Sequence, residues 1–221
     1  MIGPKKEKLN TNFYFDGFSF YYGCVKDSAW KWLDLAALCN KVYPNLRINR
    51  IRYFTARVRP IPTDPNVPHR QQIYLRALRT IPDISIHFGF FQSNPKWQPL
   101  ADPPLKGLQS AHVINTEEKG SDVKLASYLL LDGFRQDYEV AIVISNDSDL
   151  AEPIRLVRGE LRLPVGVLAP TVKKGRRPSA ELKRVSDPGY YRVIHLGALK
   201  ACQFPPSLND AKGWFFKPKS W

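Results

Sequence analysis

Val140-Ala141-Ile142-Val143-Ile144-Ser145-Asn146-Asp147-Ser148-Asp149 joins an apolar run to an abrupt polar stop. The β-branched residues Ile142, Val143 and Ile144 predict a strand buried on both faces, the habit of a parallel sheet. Two carboxylates, Asp147 and Asp149, follow directly. In an open α/β sheet the functional crevice lies beyond the carboxyl ends of the strands. These acids therefore predict half of a site, with the other half at the end of another strand.

Working outward, Asn12-Phe-Tyr-Phe-Asp16 is a short aromatic strand that also ends in an acid, followed by Gly17. Periodicity predicts helices over 30–40 (Trp30, Leu33 and Ala37 on one face), 69–80, 121–131 (stopping before Gly133) and 154–161. Strands are expected over 47–58, 84–88, 111–116, 164–168 and 191–196. The prolines of 94–107 (Pro95, Pro99, Pro103, Pro104) predict an extended surface loop. Alternating strands and helices imply an α/β fold with a mostly parallel, doubly wound sheet and helices on both faces. The expected organisation is a basic extension over 1–11, one domain over 12–196 carrying a basic segment at 171–184, and a tail over 197–221.

The chain has 221 residues, enough for one sizeable domain, and a formal net charge of +13. Such a surplus favours a polyanionic partner, nucleic acid first. No apolar run reaches the roughly 18 residues needed to span a bilayer, and the basic start has no apolar segment behind it. Cys24, Cys39 and Cys202 are odd in number and far apart, so they predict reduced thiols in a cytoplasmic protein. Nothing in the chain suggests a Ser/His/Asp or Cys/His triad. A regulatory protein partner and self-association are both left open.

Three acidic clusters fall where this architecture brings strand ends together: Asp16, Glu118 with Asp122, and Asp147 with Asp149. Each acid has a structural explanation of its own. Asp16 can form a turn beside Gly17, and Asp122 can favour a helix N-terminus by about 0.3–1 kcal/mol. Jointly, carboxylates without a His/Cys cluster suit Mg²⁺ or Mn²⁺ rather than zinc.

At these residues the chain resembles the NYN-domain family of PIN-like ribonucleases. The resemblance rests on Phe15-Asp16-Gly17-Phe18-Ser19-Phe20-Tyr21-Tyr22-Gly23, on Glu117-Glu118-Lys119-Gly120-Ser121-Asp122, and on Val143-Ile144-Ser145-Asn146-Asp147-Ser148-Asp149. It implies a Rossmann-like PIN-type fold and a metal-dependent endoribonuclease, a hydrolase of RNA phosphodiester bonds. Asp16, Asp122, Asp147 and Asp149 would then be both catalytic and metal-binding, supported by Ser19, Glu118 and Asn146. Similar proteins usually carry Asn where this chain has Ser19. A serine is shorter and lacks the amide, which implies a weakened nuclease or an RNA-binding module as the alternative. Single-stranded or structured RNA would be held by Lys119, Lys173, Lys174, Arg176 and Arg177, with Tyr22 stacking on a base.

Overall fold

The Val140 run is the centre of the sheet. In this computed structural model, which describes residues 7–104 and 106–221, β5 (Val140–Ile144) is buried at every position. It is flanked by β1 (Leu9–Asp16) and β6 (Val165–Ala169), both parallel to it. β2 (Leu46–Ala56), β3 (Ile84–Pro99) and β4 (Ser110–Lys119) extend the sheet beyond β1, and β7 (Arg192–Val193) lies beyond β6. The seven strands run in the order β4-β3-β2-β1-β5-β6-β7. Neighbours are parallel except β3 and β4. The mostly parallel α/β expectation is met.

β1 pairs with β2 on one side and β5 on the other, so the chain order reverses at β1. A crevice at such a reversal is where open sheets bind ligands. The register sets Phe15 opposite Ile144, which brings the next residues, Asp16 and Ser145, side by side at the sheet's carboxyl end.

Period-two alternation feeds two cores. Phe13 and Phe15 face one of them, packed under α2 (Leu35–Val42), α3 (Val67–Leu78) and α7 (Leu196–Ala201). Tyr14 faces the other, with α4 (Ser121–Phe134), α5 (Ala151–Glu160) and α6 (Ala180–Val185). Below the sheet, Arg52 grips Asp132 with Nε–Oδ2 at 2.6 Å and Nη2–Oδ1 at 2.7 Å, and the Tyr14 hydroxyl donates to the same carboxylate at 2.8 Å. His87 packs beside this pair, stacked on Phe54. Burial, then the Arg52 charge, lowers its pKa to about 4, so it stays neutral. All three cysteines are free and buried. Among the described residues no helix is long and apolar enough to cross a membrane.

Several boundaries differ from expectation. α2 begins at Leu35 rather than Trp30, because Asp34 caps it by accepting from Ala37 N at 3.0 Å. Trp30–Leu33 instead meets the C-terminal segment: Leu33 bridges to Gln203, and Trp32 Nε1 donates to Pro205 O. α4 continues through Gly133, where the Tyr138 hydroxyl and Leu161 leave no room for a Cβ. β3 runs on through Pro95 to Pro99, so the expected loop at 94 starts as strand. β1 takes in Leu9–Thr11 of the expected extension, whose first six residues lie outside those described. The tail packs on the domain: β8 (Ser207–Asp210) and β9 (Gly213–Phe216) form a hairpin that brings Phe215 against Trp32.

Candidate functional site

Asp16 ends β1 with both carboxylate oxygens accepting hydrogen bonds. Oδ1 accepts from Phe18 N at 3.1 Å and Ser19 N at 2.9 Å, capping the short α1 (Gly17–Phe20). Oδ2 accepts from Ser145 Oγ at 2.7 Å. Burial raises the Asp16 pKa, while these hydrogen bonds pull it back. Gly17 is required here, because a Cβ would press on the Phe54 carbonyl and the Tyr53 ring. α1 passes directly into a π-turn over Tyr21–Val25, a feature often met at functional sites. The turn presses Gly23 against the Pro170 carbonyl, with no space for a side chain.

A cavity of about 430 Å³ opens above this point. Asp16, Glu118, Asp122 and Asp147 supply its acidic wall, Phe18 and Tyr22 its aromatic surfaces, and Arg176 its cation. Phe18 is held edge-to-face by Phe91 at 5.7 Å. Lys26 lies over the Tyr22 ring at 5.1 Å.

Asp122 is the electrostatic centre. It stands in the first turn of α4, and its pKa is raised to about 7 by burial, then by the charges of Asp16, Asp147, Glu118 and Asp149. A carboxyl poised there exchanges a proton near neutral pH, as a general base must. Glu118 accepts from Ser121 N at 3.2 Å and Ser121 Oγ at 2.6 Å. Asp147 accepts from Asp149 N at 3.0 Å and donates its own N–H to Ser145 Oγ at 3.0 Å.

Ser19 and Asn146 are structural ties as well as lining residues. Ser19 Oγ accepts from Asn146 N at 2.9 Å, joining α1 to the end of β5. Asn146 then reaches the basic segment: its Oδ1 accepts from Ser179 N at 2.7 Å, and its Nδ2 donates to Arg177 O at 3.1 Å. This clip brings Arg176 to the cavity.

Of the residues expected from sequence, Asp16, Asp122, Asp147, Ser19, Glu118, Asn146, Tyr22 and Arg176 meet at the cavity. Asp149 does not line it; the residue sits exposed in a 3₁₀ turn and acts on Asp122 only through its field. Lys119 is paired with Glu117, and Lys173 with Asp27. Lys174 and Arg177 are exposed outside the lining. Phe18, Ser121 and Ser145 were missed. Ser145 carried a signal, because a small polar residue directly follows the buried strand.

Asp16, Glu118 and Asp147 already accept hydrogen bonds from within the protein. Among the described residues no group of three or more His, Cys, Asp or Glu lies close enough to hold a metal ion. The expected Mg²⁺ or Mn²⁺ therefore finds no assembled ligand set. A dinucleotide does not fit after β1 either. The amides at the start of α1 that would meet a pyrophosphate are taken by Asp16.

No family model matches the chain. Its fold is similar to that of the crystal structure of VPA0982, a protein of unknown function from Vibrio parahaemolyticus RIMD 2210633. That match has a TM-score of 0.53 and 13% identity, covering 96% of this chain and 99% of the other. The decisive comparison is of sequence. The chain is 30% identical over 241 aligned residues to the 6-hydroxy-3-succinoylpyridine 3-monooxygenase HspA of Pseudomonas putida (strain DSM 28022 / S16), covering 97% of this chain and 76% of HspA. The chain belongs to the HspA family. HspA is an oxidoreductase, and this overturns the expected endoribonuclease, whether active or weakened, together with its hydrolase class. The acids Asp16 and Asp147 after β1 and β5, with Glu118 of β4 and Asp122 of α4, do line one cavity, but their grouping did not reveal its chemistry. Carboxylates serve proton transfer as readily as metal-assisted hydrolysis. Neither match bears on the NYN resemblance.

Proposed function

We propose that this HspA-family chain is a monooxygenase-type oxidoreductase acting on a hydroxylated nitrogen heteroaromatic that carries a carboxylate. Asp122 is the observation that carries the reading: a half-buried acid with a pKa of about 7, facing a cavity that also contains two aromatic rings and one guanidinium.

The cavity's residues divide the work. Ionised Asp122 takes the proton from the ring hydroxyl, and the resulting oxyanion enriches the ring in electrons, favouring its oxygenation. Phe18 and Tyr22 flank the ring. Arg176, which can bind a carboxylate through two parallel N–H bonds, holds the acidic side chain and keeps it off the four carboxylates. The net reaction takes dioxygen, two electrons from a reductant and two protons. One oxygen atom enters the ring and the other leaves as water.

The test is oxygen uptake by the purified protein with 6-hydroxy-3-succinoylpyridine or 6-hydroxynicotinate, supplied in turn with reduced nicotinamide and reduced flavin. Substrate-dependent uptake, with ¹⁸O from dioxygen in the product, is the expected result. Unlabelled, unchanged substrate with every donor would overturn the proposal.

A further inference from the structure

The β3–β4 arm does not share the surroundings of the sheet it grows from. β3 leaves β2 after Gly89, and from Phe90 to Pro99 it pairs with β4 alone. Trp97 and Ile114 are 63% and 69% exposed on this arm. A two-stranded ribbon open to water is at best marginally stable by itself. Something that adds a strand would stabilise it.

Its two edges are unequal. Leu100 N donates to Gln109 O at 3.0 Å, which sets the phase of the antiparallel ladder. Hydrogen-bonded and non-bonded pairs alternate, so Pro99–Ser110, Trp97–His112 and Pro95–Ile114 are non-bonded pairs. Their backbone groups point away from the ladder. On the β3 edge, Pro95 and Pro99 therefore stand where outward N–H donors would be, the usual way of blunting an edge. The β4 edge, the last of the seven-stranded sheet, has no proline from Ser110 to Lys119. His112, Ile114 and Thr116 are exposed there with outward donors intact. One edge is blunted by two missing donors and the other keeps all of its own.

We infer that the open β4 edge pairs antiparallel with β4 of a second copy, about a two-fold axis near Ile114, making one continuous sheet through the dimer. Charge selects this occupant and this orientation. The chain carries +13, yet over residues 90–119 three lysines balance three acids. The arm is thus where two strongly basic molecules approach at least electrostatic cost. Within β4, the charged residues Glu117, Glu118 and Lys119 sit at one end. An antiparallel two-fold sets them against the uncharged Ser110 and Ala111 of the other copy. A parallel pairing would set like against like, which is destabilising. The same axis brings the two Ile114 side chains together as a β-branched cross-strand pair. The row formed by Pro95 and Ile114 then continues across the junction.

Sedimentation velocity over a concentration series tests this, together with amide hydrogen exchange. The expected result is a monomer–dimer equilibrium in which the His112, Ile114 and Thr116 amides gain protection as concentration rises. Ile114→Pro removes one outward donor without breaking a bond to β3. Ile114→Lys keeps the donor and sets two charges face to face. Each should weaken the dimer roughly tenfold or more, with an unchanged circular dichroism spectrum as the control for folding. A wild-type protein that stays monomeric with fast-exchanging β4 amides overturns the inference, as does a dimer that survives both substitutions.

Discussion

Ser145 Oγ donates to Asp16 Oδ2 at 2.7 Å across the boundary between β5 and β1. The same oxygen accepts the Asp147 N–H at 3.0 Å. One hydroxyl, buried completely, thus ties the Asp16 carboxylate to the main chain of Asp147. Ser145→Ala leaves the Asp16 carboxylate without its side-chain donor, and losing such a bond to a buried charged group costs about 1.5–3 kcal/mol. Because that bond lowers the Asp16 pKa, its loss raises the pKa further. Chemical denaturation at pH 8 should show the loss in full, and at pH 4 a smaller one.

Asp122 predicts the pH dependence. Its folded pKa of about 7 exceeds the ordinary carboxyl value. Between roughly pH 4 and 7 the folded state therefore binds the extra proton, stability falls as pH rises, and the full penalty is present above pH 7. Asp122→Asn should stabilise the fold by roughly 1–3 kcal/mol above pH 7, the shift being discounted for solvent screening, and by little near pH 4. Turnover should do the opposite, rising with pH through about 7 in the wild type and collapsing in the variant. Thermal melts paired with a pH–rate profile measure both. If Mg²⁺ or Mn²⁺ displaced the titration of Asp122 to lower pH, that would reveal a cation site the described geometry does not assemble.

Under the proposed function, the Arg176 guanidinium at the cavity is the group that would bind the acid of the substrate. Arg176→Ala should raise KM for a carboxylate-bearing hydroxypyridine by roughly ten- to a hundredfold, the 1.5–3 kcal/mol of a charge-assisted bond. It should leave KM for the same ring without the acid nearly unchanged. Equal effects on both substrates would refute the assigned role.

Gly23 is a steric requirement of the π-turn. Gly23→Ala puts a methyl into the Pro170 carbonyl and displaces the backbone that carries Tyr22. Overpacking of this kind costs about 1–3 kcal/mol or more. Denaturation curves should record the loss.

The Arg52–Asp132 pair is 11% and 3% exposed. Removing one member leaves the other charge buried, at a cost of about 3–5 kcal/mol. Arg52→Met should therefore destabilise strongly. A double variant that also carries Asp132→Leu should recover much of the loss, as a double-mutant cycle can verify.

The sequence by itself determined the double-sided strand at Val140–Ile144, the acid-ended strand at Asp16 and the mostly parallel α/β order. Periodicity and strand-end chemistry are local, and they survive folding unchanged. They also pointed to the cavity that Asp16 and Asp147 line, because the carboxyl ends of parallel strands collect on one edge. The chemistry of that site was not legible in them. A carboxylate looks the same in sequence whether it binds a cation or holds a proton, and a relative in the HspA family was needed to overturn hydrolysis. Tertiary structure alone decided which acids are spent as caps and which is charged against its neighbours. Asp16 is held by three donors, Asp149 is turned outward, and Asp122 is left within the field of the rest. It also decided that Pro95 and Pro99 belong to a strand, since a proline is excluded from a ladder only where its missing N–H would face a partner.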